Sequence, residues 1–317
     1  AADVAAAAKA AKKAGDENAT ASALQIDDEP CAVMLSATGL IARTSEDAVE
    51  RWENRSASDG RAKDEQIVSM FRTSTRSSYG LVTSAGRLVL AHVVELPKVS
   101  ADGPLSVTGG VKAEELLGMT ENTDPIRGER VIAAIDMPST DDGGQLVPLA
   151  LGTRNGVVKR WNRESPTTMD SWSVIDLKDD DEVLAAAEAR DEDRLVFVST
   201  DSSLLTFEAK NVRPQGRTAG GMAGIRLAEG CSVAAFAVVP DGKVTWNYEE
   251  GENGLFSASG AVVLTVAGDS EALPGTENGA AKVTPLEMYP TKGRGTGGVR
   301  SQRFLKGQDT LILAFVG

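Results

Sequence analysis

A unit of apolar strand, small polar turn and second strand recurs along this chain, and no other feature limits its fold so tightly. The first copy is Ala32-Val33-Met34-Leu35-Ser36-Ala37-Thr38-Gly39-Leu40-Ile41-Ala42-Arg43, and the second runs from Gly80 to Leu90 around Gly86. A third spans Leu149 to Arg160 and a fourth Leu195 to Leu205, while a fifth begins at Ala261 and resumes, after an insertion, at Gly279. Turn positions 39, 86, 156, 203 and 279 are separated by 47, 70, 47 and 76 residues. A period near 47 with two loop insertions falls within the range of propeller-type repeats. One such hairpin cannot bury its apolar side alone, so neighbouring copies must pack radially about a centre. The expected fold class is all-β, with about five four-stranded blades and no helical periodicity after the N-terminal stretch.

Residues 1–27 differ from the rest. Ala-rich helix formers from Ala5 to Lys13 give way to Gly15-Asp16-Glu17-Asn18, a helix stop. This stretch reads as a linker or the remnant of an upstream helix, leaving 28–317 as the β-domain. The 32 glycines and the Ala- and Val-rich apolar content suit short strands and tight turns. No run approaches the roughly 20 apolar residues that span a membrane, and the N-terminus lacks a secretory layout. Cys31 and Cys231 lie far apart, so reduced thiols in a cytoplasmic protein are expected. The single histidine, His92, argues against a His/Cys metal centre and against a Cys/His nucleophilic pair. No catalytic, cofactor-binding or metal-binding residue is therefore expected. Carboxylate pairs such as Asp241/Glu249 lie in acidic, Gly-rich stretches and read as solvated charge rather than as a hydrolase pair.

The net charge of −13 opposes nucleic-acid binding if it is spread evenly, because phosphate is repelled by an acidic surface. It is not spread evenly. Acids cluster in Asp179-Asp180-Asp181-Glu182 and Asp191-Glu192-Asp193, whereas 289–306 holds Lys292, Arg294, Arg300, Arg303 and Lys306 with no acid.

Within that basic stretch a second motif repeats. Gly216-Arg217-Thr218-Ala219-Gly220-Gly221-Met222 is echoed by Gly293-Arg294-Gly295-Thr296-Gly297-Gly298-Val299, and each copy leads into a strand with further bases, Arg226 in one and Arg300 and Arg303 in the other. Glycine-rich backbone lets N–H groups approach a phosphate, and arginine supplies forked, permanently charged donors. Placed on successive blades, such loops suit bent duplex DNA held by its backbone. The plainer alternative is that the glycines serve turns and the arginines are solvated. The G-x-G-x-x-G pattern at 293–298 precedes a strand rather than a helix, which argues against a dinucleotide fingerprint.

The runs Val212 to Leu227 and Tyr289 to Val299, with the hairpins Leu35 to Arg43, Val82 to Leu88 and Gly152 to Arg160, resemble blade segments of the C-terminal domain of bacterial type IIA topoisomerase A subunits, the family of DNA gyrase and topoisomerase IV. The resemblance covers essentially residues 30–317. It implies a β-pinwheel, a propeller-like disc, open or lacking a sixth blade, whose basic edge bends double-stranded DNA and presents it to a cleavage core. It also implies a non-catalytic, cytoplasmic, nucleoid-associated module, with ATP and Mg used elsewhere in the holoenzyme. The partners it implies are the breakage-reunion domain and the B subunit.

Gyrase carries a Q-R-R-G-G-K-G box after its first hairpin. The matching stretch here, Ser58-Asp59-Gly60-Arg61-Ala62-Lys63-Asp64-Glu65, keeps two bases but not the box, which favours topoisomerase IV over supercoiling. On this reading Arg217, Arg226, Lys292, Arg294, Arg300 and Arg303 contact phosphates, supplemented by Arg213, Arg61 and Lys63. Arg43, Arg87, Lys159 and Arg160, on second strands, are weaker candidates. The competing class is an acidic protein-interaction propeller.

Overall fold

The computed structural model describes residues 27–54, 66–100, 104–118, 128–137, 146–178, 180–250, 256–273 and 279–317. They gather into two units. One holds the described residues up to Val82 and from Val89 to 137; the other holds Thr83–Leu88 and those from 146 onward.

In the first unit, Pro30–Ser36 and Leu40–Ser45 form the first hairpin, in register from Cys31↔Ser45 to Leu35↔Ile41. Ile67–Ser74 pairs with its first strand and Val111–Lys112 with its second. Val33, Leu35, Ile41, Tyr79, Leu81 and Val93 make the core here. The Tyr79 ring is fully enclosed, and burial pushes its phenol up from the ordinary value. Two short helices, Glu46–Glu53 and Ala113–Leu116, differ from the strand-only expectation. The first starts with Glu46 and Asp47, ends near Arg51, and buries only Ala48 and Val49, so it is too short to show a helical period in sequence.

The second unit carries three of the repeated hairpins among its described residues. Leu149–Thr153 and Val157–Trp161 form one, edged by Val183–Glu188 on its first strand. Arg194–Ser199 and Ser203–Glu208 form the next, edged by Val233–Val239. Val262–Gly268 and Ala280–Pro285 form the last, edged by Thr310–Val316; this sheet has three strands among the described residues. Phe197 anchors the core, with ring centroids 4.8 Å from Phe236 and 6.3 Å from Phe207. A side chain at Gly152 would run into the Phe236 ring, which is why that strand position is glycine. A further hairpin, Asn247–Glu250 with Phe256–Ser259, lies outside the repeated units read from the sequence.

One turn is reused throughout. The N–H groups of Gly39, Gly86, Gly156 and Ser202 donate to the carbonyls of Ser36, Thr83, Thr153 and Ser199, three residues back. All four acceptor residues carry hydroxyls, and all four donors sit at positive φ, between 70° and 81°. The left-handed residue of the fourth turn is thus Ser202, one position before that expected from spacing, and its Cβ makes it the costly member of the set.

The second strand of a hairpin receives its outer partner from chain that follows the next hairpin. Val111–Lys112 does this for the first hairpin, Met222–Ala223 for the third and Val299–Arg300 for the fourth. The glycine motifs lie at this crossover.

Candidate nucleic-acid interface

Both glycine motifs, within the second unit, are built alike. Pro214–Gln215 runs parallel to Arg160 and Trp161, the chain loops through 216–221, and Met222–Ala223 returns antiparallel to Val158 and Val157. Thr291 likewise bridges Thr206 in parallel, 293–298 loops, and Val299–Arg300 returns against Leu204 and Ser203. The last glycine of each motif is obligatory. Gly221 has φ 81°, and a Cβ there would sit 2.7 Å from the Val158 carbonyl oxygen; at Gly298, φ 71°, it would collide with the Leu204 carbonyl. Gly293 has open space around it, so its role is not packing.

The second loop lies against the segments that flank the first. The Gly295 N–H donates to the Gly224 carbonyl at 2.6 Å and the Arg226 N–H to the Thr296 carbonyl at 3.0 Å. Arg294 reaches over the same seam, Nη1 to the Ala223 carbonyl at 2.6 Å and Nε to the Asn211 carbonyl at 3.3 Å. The second loop therefore packs against the segments that lead into and out of the first.

On and beside the two motifs Arg213, Arg226, Lys292, Arg300 and Arg303 are exposed, and Arg217 and Arg294 are half-buried. None of these seven forms an ion pair with another described residue. The described pairs engage other bases, among them Arg154–Glu182 and Arg163–Glu188. Lys292 turns its ammonium toward the Gly298 carbonyl at 3.3 Å. A flanking cleft of about 320 Å³ beside Gly220 and Gly221 includes Asp176 and Asp181, so the basic surface has an acidic border.

Second-strand bases have a different role. Lys159 is wholly buried and donates to the carbonyls of Arg217 at 3.0 Å and Ala219 at 2.6 Å, supporting the first loop from beneath. Burial pushes its ammonium down to about 8, against a smaller opposing effect of Asp176. Arg160, 2% exposed, donates to the carbonyls of Ala189, Ala209 and Val212 and pairs with Asp191 at 2.8 Å. Arg43 does the corresponding work in the first unit, Nε to the Leu96 carbonyl at 3.1 Å. Lys159 and Arg160 thus hold backbone from inside and offer no surface to phosphate, a correction to their expected role. Arg87 is half-buried on Arg87–His92. Arg61 and Lys63 lie outside the described residues.

Sequence reasoning missed Lys282. It donates to the Ser301 carbonyl at 2.6 Å and, with Arg300 and Arg303, lines an open cleft of about 510 Å³. Its position in the second strand of the fifth repeat was the available signal.

Comparison with known proteins bears on the fold and its relatives. Residues 193–240 and 275–316 match the family model described as DNA gyrase C-terminal domain, beta-propeller. The DNA gyrase A subunit of Deinococcus deserti is 26% identical over 278 residues, covering 86% of this chain and 30% of that protein. That of Mycolicibacterium smegmatis is 26% identical over 296 residues, covering 91% and 30%. The chain spans about 30% of the length of these relatives. In fold it is similar to the C-terminal domain of DNA topoisomerase IV, with TM-score 0.53 at 17% identity, covering 92% of this chain and 94% of that one.

Proposed function

We propose that this chain, a C-terminal domain of the type carried by DNA gyrase and topoisomerase IV A subunits, holds and bends duplex DNA along its paired basic loops. The observation that carries the reading is the junction of the two motifs, with Arg213, Arg217, Arg226, Lys292, Arg300 and Arg303 on or beside them and none paired with a described carboxylate, in a chain whose net charge is −13. Backbone phosphates are the ligand that repeated cations on glycine-rich loops suit, and such contacts carry little base readout. In the full protein the domain would present DNA to a breakage-reunion core assembled with a B subunit.

The finer reading is a topoisomerase IV-like role in decatenation or relaxation, favoured by Ser58 to Glu65, which lacks the gyrase box. A gyrase-like role, wrapping DNA for negative supercoiling, is favoured instead by the relatives, which are gyrase A subunits.

Two measurements test these readings. Titration with duplexes of increasing length across a salt series should show affinity rising with length and falling steeply with salt. Affinity that ignores both would leave the protein-interaction class standing. Closing nicked circles with ligase in the presence of the chain separates the finer readings, since a chiral wrap changes linking number and a plain bend does not.

A further inference from the structure

We infer that Arg294 is a positioning residue that couples the two basic loops, rather than a phosphate contact; the inference rests on the DNA-holding reading above. Its guanidinium is turned away from its own loop and onto the neighbouring repeat. Nη1 takes the Ala223 carbonyl and Nε the Asn211 carbonyl, at 2.6 and 3.3 Å. These acceptors bracket the first loop: Asn211 ends the 3-10 turn Ala209–Asn211 that leads to Arg213, and Ala223 stands three residues before Arg226.

The same turn is gripped from within by Arg160, through the carbonyls of Ala209 and Val212. Arg160 and Arg294 therefore share out three carbonyls of the segment 209–212, one base buried and the other on the surface. With Gly295 N–H on Gly224 and Arg226 N–H on Thr296, four hydrogen bonds join the loops, and Arg294 makes two of them.

A planar fork addresses two carbonyls at once, whereas an ammonium is a single point charge. Arg294 thereby orders the first loop before DNA arrives, which lowers the entropy lost on binding. Linkage makes the effect reciprocal: DNA on Arg217 and Arg226 must tighten the seam at Gly295.

The test uses Arg294→Lys and Arg294→Gln in the full chain, with duplex affinity over a salt series and amide exchange at Gly295 and Arg226. Protection at Phe197, in the core, reports whether the fold is intact. Both variants should bind duplex about fivefold more weakly, the Lys variant as weakly as the Gln variant despite its charge. The salt slope should stay that of the parent. Exchange at both amides should speed up in the variants, and duplex should slow it in the parent.

Parental affinity in the Lys variant, with a slope reduced by about 0.9 in the Gln variant, would make Arg294 a direct phosphate contact and overturn the inference. Parental affinity in both variants would overturn it too. A parent that binds no duplex would instead sink the DNA-holding reading, while the exchange data would still report on the seam.

Discussion

The Lys159 ammonium lies 2.6 Å from the Ala219 carbonyl oxygen and is buried beneath the loop it supports. A charge in that position is costly, and burial brings its pKa down to about 8 from 10.5. Between those values the unfolded chain binds more protons at this lysine than the folded chain does. Its contribution to stability therefore rises with pH across that window and is flat below it. Lys159→Met keeps the length and removes the titration. Urea denaturation from pH 7 to 10 should show the parent gaining stability relative to the variant as pH rises; parallel curves would mean that Lys159 is not desolvated.

Ser202 stands where the other turns have glycine, with φ 70°. Its hydroxyl donates to the Gln302 carbonyl at 2.6 Å and accepts from the Gln302 N–H at 2.7 Å, offsetting the strain. Ser202→Ala keeps the strain and loses both bonds, so it should destabilise by about 2–3 kcal/mol. Ser202→Gly relieves the strain and should cost about 1 kcal/mol less. Chemical denaturation ranks the pair, and an alanine variant as stable as the glycine one would contradict the argument.

The glycines of the second motif should separate sharply. Gly298→Ala places a Cβ into the Leu204 carbonyl at a left-handed position, whereas Gly293→Ala meets open space. The first should lose more than about 2 kcal/mol of stability and weaken duplex binding; the second should leave the fold unchanged. Melting temperatures of the two variants check this directly.

Buried and exposed bases should fail in different assays. Arg160→Met strands the carbonyls of Ala189, Ala209 and Val212 while leaving Asp191 solvated, and should cost about 2–3 kcal/mol of stability. Replacing Arg226, Arg300 and Arg303 together by Ala should leave stability within about 0.5 kcal/mol. The same triple replacement should reduce the salt slope of duplex binding by roughly 2.7. A triple variant with an unchanged slope would remove these residues from the interface.

Much of this was legible beforehand because it is written in local chemistry. Ser or Thr three residues before a left-handed corner marks four turns, and Gly109, Gly221 and Gly298 mark three crossovers, since those backbone conformations admit few residue types. The helix Glu46–Glu53 and the hairpin Asn247–Glu250 with Phe256–Ser259 escaped notice, being short insertions outside the repeat with too few residues to establish a period.

The repeat, four of its turns and the two motifs that recur at one phase follow from local residue chemistry. Which bases face solvent depends on long-range packing. Val157–Trp161 is packed on both faces, so alternation along it does not separate inside from outside, and Lys159 and Arg160 read like surface charges until neighbouring segments close over them. Burying such a charge is tolerated only where carbonyls from distant segments converge on it, and that convergence exists only in three dimensions.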